Sequence, residues 1–165
     1  MLKKNKFPIK YLPKNLTKKD NKIIKSGLIK TKKLYKKGIY YKRQKIKSYK
    51  SKKSKHILNA EKMYNIKNLK INNELAKKTK CSIKALNDIV KKGQGAFYSS
   101  GSRPNQTPHS WGYARLASSI TGGKASVVDY HILKDGCLKN SKPLLLANKL
   151  MKNKKKLPTV PKVQF

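Results

Sequence analysis

The chain has 165 residues, 43 of them Lys or Arg and 6 of them Asp or Glu, for a formal net charge of +37. That length suits one modest domain, and that charge opposes compaction until a polyanion or an acidic protein surface neutralises it. Six carboxylates leave few general acids or bases, two cysteines make no disulfide framework, and no apolar run approaches the roughly 20 residues of a membrane span. The composition therefore predicts a soluble, intracellular, non-enzymatic protein with reduced Cys81 and Cys137, and no metal or cofactor.

Residues 1–16 hold Pro8 and Pro13 among lysines and the apolar anchors Leu2, Phe7, Ile9, Tyr11 and Leu12, which predicts an extended tail. Thr17 with Asp20 three residues on forms a capping-box arrangement, opening a helix over 18–37 with Ile23, Ile24, Leu28, Leu34 and Tyr35 on one stripe, weakened by Gly27. Residues 35–56, YKKGIYYKRQKIKSYKSKKSKH, interleave Tyr35, Tyr40, Tyr41 and Tyr49 with lysine. Such a segment reads as a solvated arm, or as one that hugs a surface through tyrosine and neutralises it through lysine.

A helical pattern follows over 57–67. Asn72 or Asn73 then caps ELAKKT, and Ser82 caps IKALNDIVKK, which Gly93 is predicted to end. Leu75, Ala76, Ile83, Leu86, Ile89 and Val90 supply the apolar set. The pair resembles helix-turn-helix motifs, with Lys80 where those motifs often carry glycine. GQGAFYSSGSRPNQTP is predicted irregular. Ser110 or Thr107 caps SWGYARLASSIT, which Gly122 and Gly123 stop. Ser126 with Asp129 is a second capping box before VVDYHILKD, and PLLLANKLMKN starts at Pro143 and buries Leu144 to Leu146, Leu150 and Met151. KKKLPTVPKVQF reads as an extended tail.

The charge is uneven. Residues 1–72 hold 25 basic residues against Asp20 and Glu61, whereas residues 73–143 hold 12 against Glu74, Asp88, Asp129 and Asp135, and residues 144–165 add six lysines and no acid. The predicted fold class is mainly α: a small helical domain with long, extended, Lys-rich N- and C-terminal arms. The expected division is a basic extended arm with a short helix over 1–56, a compact helical domain over 57–153, and a basic tail over 154–165. Basic arms of this kind meet nucleic acid or thread through acidic protein assemblies.

The near-neutral window over 95–124 contains only Arg103, Arg115 and Lys124 as charges, with Phe97, Tyr98, Trp111 and Tyr113. It reads as the most core-like stretch. Arginine supplies a planar fork that lysine cannot replace, and only three arginines occur among 40 lysines. Arg43, Arg103, Arg115, Trp111, Tyr98, Tyr40 and Tyr41 are therefore the expected partner contacts. A nucleophile site from Ser99, Ser100 or Ser102 with His109 would need Asp129 or Asp135 to fold back beside it, and nothing in the spacing demands that. Gly122–Gly123–Lys124 lacks the upstream glycine of a phosphate loop, although its backbone N–H groups at a helix start suit an anion. His56, His109 and His131 are scattered.

The strings YKKGIYYKRQKIKSYKSKKSKH, KKTKCSIKALNDIVKKGQGAFYSSGSRPNQTPHSWGYARLASSITGGKASVVDYHIL and KDGC, which cover roughly residues 30–137, resemble a basic protein domain of nucleocytoplasmic large DNA viruses that infect algae and amoebae. The resemblance implies a virion-associated protein, a minor component of the icosahedral capsid on the inner face of the shell, with host cytoplasm as the place of assembly. Its implied partners are the major capsid protein and other minor capsid proteins of the same virus. The resemblance brings no catalytic residues. The alternative expectation is a sequence-independent protein that condenses the viral DNA through lysine–phosphate contacts.

Overall fold

A computed structural model describes residues 5–154 and 157–165. Leu2 of the expected tail and Lys155–Lys156 lie outside the described residues. The protein is mainly helical, with eight α-helices and one two-stranded pairing among the described residues. Its residues group into two compact units. The first comprises the described residues up to Lys52, with Gly95–Pro108 and Pro158–Phe165. The second comprises Lys53–Gln94 and His109–Leu157.

In the first unit, residues that the sequence predicted as an extended arm are folded. Strand β1 (Lys6–Pro8) pairs antiparallel with β2 (Lys162–Gln164), with Phe7 opposite Val163. The Phe7 and Phe165 rings stack with centroids 5.1 Å apart. Helix α1 (Lys18–Tyr35) starts where expected: the Thr17 hydroxyl accepts the Asp20 N–H. Its Ile24 and Leu28 are buried together with Phe7, Tyr11, Ile46 and Phe97. Of the expected anchors, Phe7 and Tyr11 are buried within the protein's own fold, whereas Ile9 is exposed. Lysine ammonium groups assist, with Lys32 Nζ over the Phe7 ring and Lys25 Nζ over the Phe165 ring; such contacts are each worth about 0.5–1 kcal/mol at exposed sites.

The second unit holds α2 (Lys55–Met63), α3 (Asn73–Thr79), α4 (Ile83–Ser99), α5 (Pro108–Ile120), α6 (Lys124–Val128), α7 (Tyr130–Gly136) and α8 (Lys142–Lys152), except that Gly95–Ser99 and Pro108 group with the first unit. Its core includes Tyr64, Leu75, Leu86, Ile89, Leu116, Ile120, Leu133 and Leu144. Leu86, Ile89, Leu116, Ile120 and Leu133 are wholly buried, each worth about 1.5–3 kcal/mol of transfer free energy. Asn72 caps α3 through Leu75 N–H, and Ser141 caps α8 through Leu144 N–H, with Pro143 in the first turn.

The structure departs from several expectations. Helix α4 does not stop at Gly93 but runs to Ser99, so AFYS is helical. Gly93 serves a different need: a Cβ there would lie 2.7 Å from the Gly112 Cα and 3.1 Å from the Arg115 Cβ. The glycine permits α4 and α5 to touch backbone to backbone. Residues 95–108, assigned by sequence to the central domain, group instead with the N-terminal residues. The second capping box is absent: Ser126 donates to the Gly123 carbonyl, and Asp129 is drawn inward by Arg115. Ile83 and Leu145, expected in the core, are 40% and 54% exposed. Cys81 and Cys137, expected as reduced thiols, are joined as a disulfide. They face each other in a short antiparallel bridge between the α3–α4 and α7–α8 connections, flanked by Ser82 N–H to Gly136 O and Leu138 N–H to Lys80 O.

Candidate functional site

Arg43 is the best-organised of the expected contact residues. It lies on the irregular segment after α1, and its guanidinium sits 3.8 Å from the Phe97 ring centroid. Nη1 donates to the Phe97 carbonyl at 2.9 Å and Nη2 to Ser102 Oγ at 2.6 Å. Ser102 Oγ in turn donates to the Arg103 carbonyl. Burial lowers the Arg43 pKa to about 10, with the Tyr11 and Tyr98 phenols offsetting part of that. Tyr11 is pushed up by burial and held back by Arg43 and Arg103.

The turn that carries Ser102 and Arg103 is fixed at both ends. Gly101 adopts φ +90°, and a Cβ there would lie 2.8 Å from Leu28 Cδ2. Asn105, at φ +60°, latches the arm: its Oδ1 accepts Ile46 N–H, while Nδ2 donates to the carbonyls of Ile46 and Tyr49. Asp20 fixes the same arm one turn on, accepting both the N–H and the hydroxyl of Ser48. These bonds lower the Asp20 pKa below its usual value.

The tyrosines of this unit split in two. Tyr35, Tyr40 and Tyr98 form a three-ring cluster, with Tyr35 and Tyr98 stacked at 5.7 Å and Tyr40 edge-on to Tyr98 at 5.2 Å. Tyr40 is 70% exposed and its neighbour Ile39 is also exposed. Tyr41 points elsewhere and takes Lys30 over its ring at 4.5 Å.

Arg115 serves the second unit. Its Nε and Nη2 donate to the two carboxylate oxygens of Asp129 at 3.0 and 2.8 Å, Ser119 Oγ donates to Oδ2, and Lys92 lies 3.4 Å from Oδ1. Asp129 is wholly buried. A two-point guanidinium–carboxylate contact is the strong form of this interaction, and it occupies both oxygens that a nucleophile triad would use. Trp111 is half-buried on α5, and His109 packs against Tyr113 with ring centroids 4.6 Å apart.

The structure thus brings Arg43 and Arg103 to one place, Tyr40 and Tyr98 to another, and leaves Arg115 in an internal ion pair. Sequence reading missed Asn105, Ser102, Asp20 and Asp129 as organising residues. Asp129 had a signal, since it is one of six acids and stands 14 positions from Arg115. The helix pair α3–α4 is joined through Lys80 in the left-handed conformation, φ 54°, so lysine adopts the backbone that glycine favours in such turns. Among the described residues no cluster of His, Cys, Asp and Glu is placed to hold a metal ion, and no helix is long and apolar enough to cross a membrane.

Residues 8–135 match a family of unknown function, DUF5824. The chain belongs to this family. The matched range includes Arg43, Arg103, Asn105, Arg115 and Asp129, so the family spans residues of both units. No curated protein and no solved structure matches the chain.

Proposed function

We propose that this protein is a structural component of a large DNA virus particle, a minor capsid protein on the inner face of the shell with no catalytic role. The observation that carries the reading is the exposed Ile39–Tyr40 pair, backed by Tyr35 and Tyr98, in a segment rich in lysine. Exposed tyrosine set in charge is the composition of a protein-docking patch, where the ring supplies buried area and the lysines around it meet acidic neighbours. The partners are then the major capsid protein and other minor capsid proteins. The resemblance over residues 30–137 supports the same setting.

A second reading is favoured by a different observation. Phe7, Tyr11, Ile24, Leu28 and Ile46, the anchors with which arms would grip capsomers, are buried in the protein's own fold. What they leave outside is mostly lysine, and six acids cannot neutralise 43 bases. A folded polycation of this kind binds packaged DNA through counterion release, with affinity that collapses as salt rises.

Stepwise stripping of purified particles with detergent and rising salt, followed by nuclease digestion, separates the two. Retention on the empty shell at high salt is expected for the capsid reading, with release on Tyr40→Ala. Loss with the DNA at moderate salt would replace it with the condensing role.

A further inference from the structure

Two of the three arginines in this lysine-rich chain line one cavity of about 20 Å³ in the first unit. Ser102, Gln44 and Gln106 contribute polar walls, and Ile24 and Leu28 contribute apolar ones. That volume admits about one water-sized group, which excludes a base or a sugar ring and suits a single oxygen of a larger anion. Among the described residues no carboxylate pairs with Arg43 or Arg103; every ion pair involves other cations.

We infer that the Arg43–Arg103 cavity is a phosphate-binding site, in which one phosphate oxygen enters between the two arginine side chains. The site stands on its own geometry, whichever partner the surface lysines meet.

A partly buried guanidinium has lost water that an anion would replace, and apolar walls strengthen the pairing by lowering the local dielectric. The depressed pKa of Arg43 reports that loss of water. Arg115, by contrast, has its carboxylate. The choice of anion follows from donor geometry. One guanidinium fork satisfies a planar carboxylate. Here Arg43, from the segment after α1, and Arg103, from the 101–105 turn, line one cavity from two separate segments, which suits the tetrahedral oxygens of phosphate better than a flat group. Both arginines are also held in place before any ligand arrives. Arg43 is pinned by Phe97 and Ser102, and the turn bearing Arg103 is pinned by Gly101 and Asn105. Little ordering remains to be done on binding.

Phosphate chemistry has two sources here, a small free phosphate or nucleotide and the phosphodiester backbone of nucleic acid. The full chain is titrated with inorganic phosphate at constant ionic strength and, separately, with a short DNA duplex. The wild type is compared with Arg103→Gln and with Lys45→Gln, which removes an equal charge from an exposed position of the same unit. Arg103 is exposed, so its replacement leaves the fold intact, which amide exchange of α1 checks. Saturable phosphate binding that weakens about tenfold in Arg103→Gln and less than about twofold in Lys45→Gln is expected for a charge-assisted pair. A parallel loss for the duplex assigns the site to the nucleic-acid backbone; an unchanged duplex affinity assigns it to a small phosphate. Equal weakening by both variants would overturn the proposal in favour of diffuse attraction, and acetate binding as tightly as phosphate would overturn it in favour of an acidic protein side chain.

Discussion

The two units reach the folded state by different means. The second has a continuous apolar core running from Ala60 to Ala147, an internal Arg115–Asp129 pair and a disulfide that ties Cys81 to Cys137. The first buries fewer large apolar side chains, chiefly Phe7, Tyr11, Ile24, Leu28, Ile46 and Phe97, and holds its irregular segments with side chain-to-backbone bonds from Asp20, Arg43 and Asn105. Lysine is the reason. A segment with so few apolar residues cannot supply enough hydrophobic burial to offset the entropy of ordering its backbone, so polar latches with defined partners take that part. The difference teaches where to expect fragility: distributed packing in one unit, a few single residues in the other.

The largest expected effect tests the second unit's covalent tie. Its two cysteines stand 56 residues apart, and closing a loop of that length removes about 4 kcal/mol of denatured-state entropy. Reductant, or the paired change Cys81→Ala with Cys137→Ala, is expected to lower stability by about that amount. Trp111 is the sole tryptophan and belongs to this unit, so its fluorescence against urea reads the effect locally. An unmoved midpoint would mean that the bond adds nothing beyond the core. Next comes Asp129→Asn, which leaves Arg115 facing an uncharged amide in a buried setting. Loss of one partner of a buried pair costs about 3 kcal/mol, again read at Trp111. Retention of stability in Asp129→Asn would show that Ser119 and the packing suffice without the charge.

The first unit is sharpened by Asn105→Ala. The change deletes three bonds to Ile46 and Tyr49 and places alanine at a positive φ. Unsatisfied, partly buried backbone groups cost about 1–3 kcal/mol. Asn105→Gly separates the two causes, because glycine keeps the backbone conformation while losing the bonds. Amide exchange at Ile46 is the readout. If Asn105→Gly exchanges like wild type, the latch is a matter of backbone shape alone.

What the sequence disclosed divides differently, by whether a feature depends on neighbours close in the chain or distant in it. The caps at Thr17 and Asn72, and the stripe of α1, were legible because each depends on neighbours within one turn. Gly93 was misread as a stop because its role lies in a contact with Gly112, 19 positions away. The disulfide could not be inferred from two cysteines without the antiparallel bridge that sets them side by side. Among site residues, arginine scarcity pointed to Arg43, Arg103 and Arg115, but not to their different fates. Arg115 ends in an ion pair because Asp129 lies within reach; Arg43 and Arg103 line a cavity with no carboxylate among the described residues at hand. Asn105 carried no sequence signal beyond its place in a turn.

The smallest expected effect, and the most selective, concerns pH. Asp20 is nearly buried and accepts both bonds from Ser48, which hold its pKa below the usual value. A carboxyl with a depressed folded pKa contributes stability above its unfolded pKa of about 3.9, and that contribution is lost as pH falls through the folded value. Protection of the Ser48 amide, taken relative to the intrinsic exchange rate at each pH, is therefore expected to hold at pH 5 and to fall on acidification below about pH 4, the unfolded carboxyl value. Asp20→Asn should abolish that pH dependence. It should also quicken exchange at Ser48 at neutral pH, because an amide accepts these bonds less strongly than a carboxylate. An unaltered acid profile in Asp20→Asn would place the acid sensitivity of this segment elsewhere, and the contrast between latch and core would then rest on Asn105 and Arg43 alone.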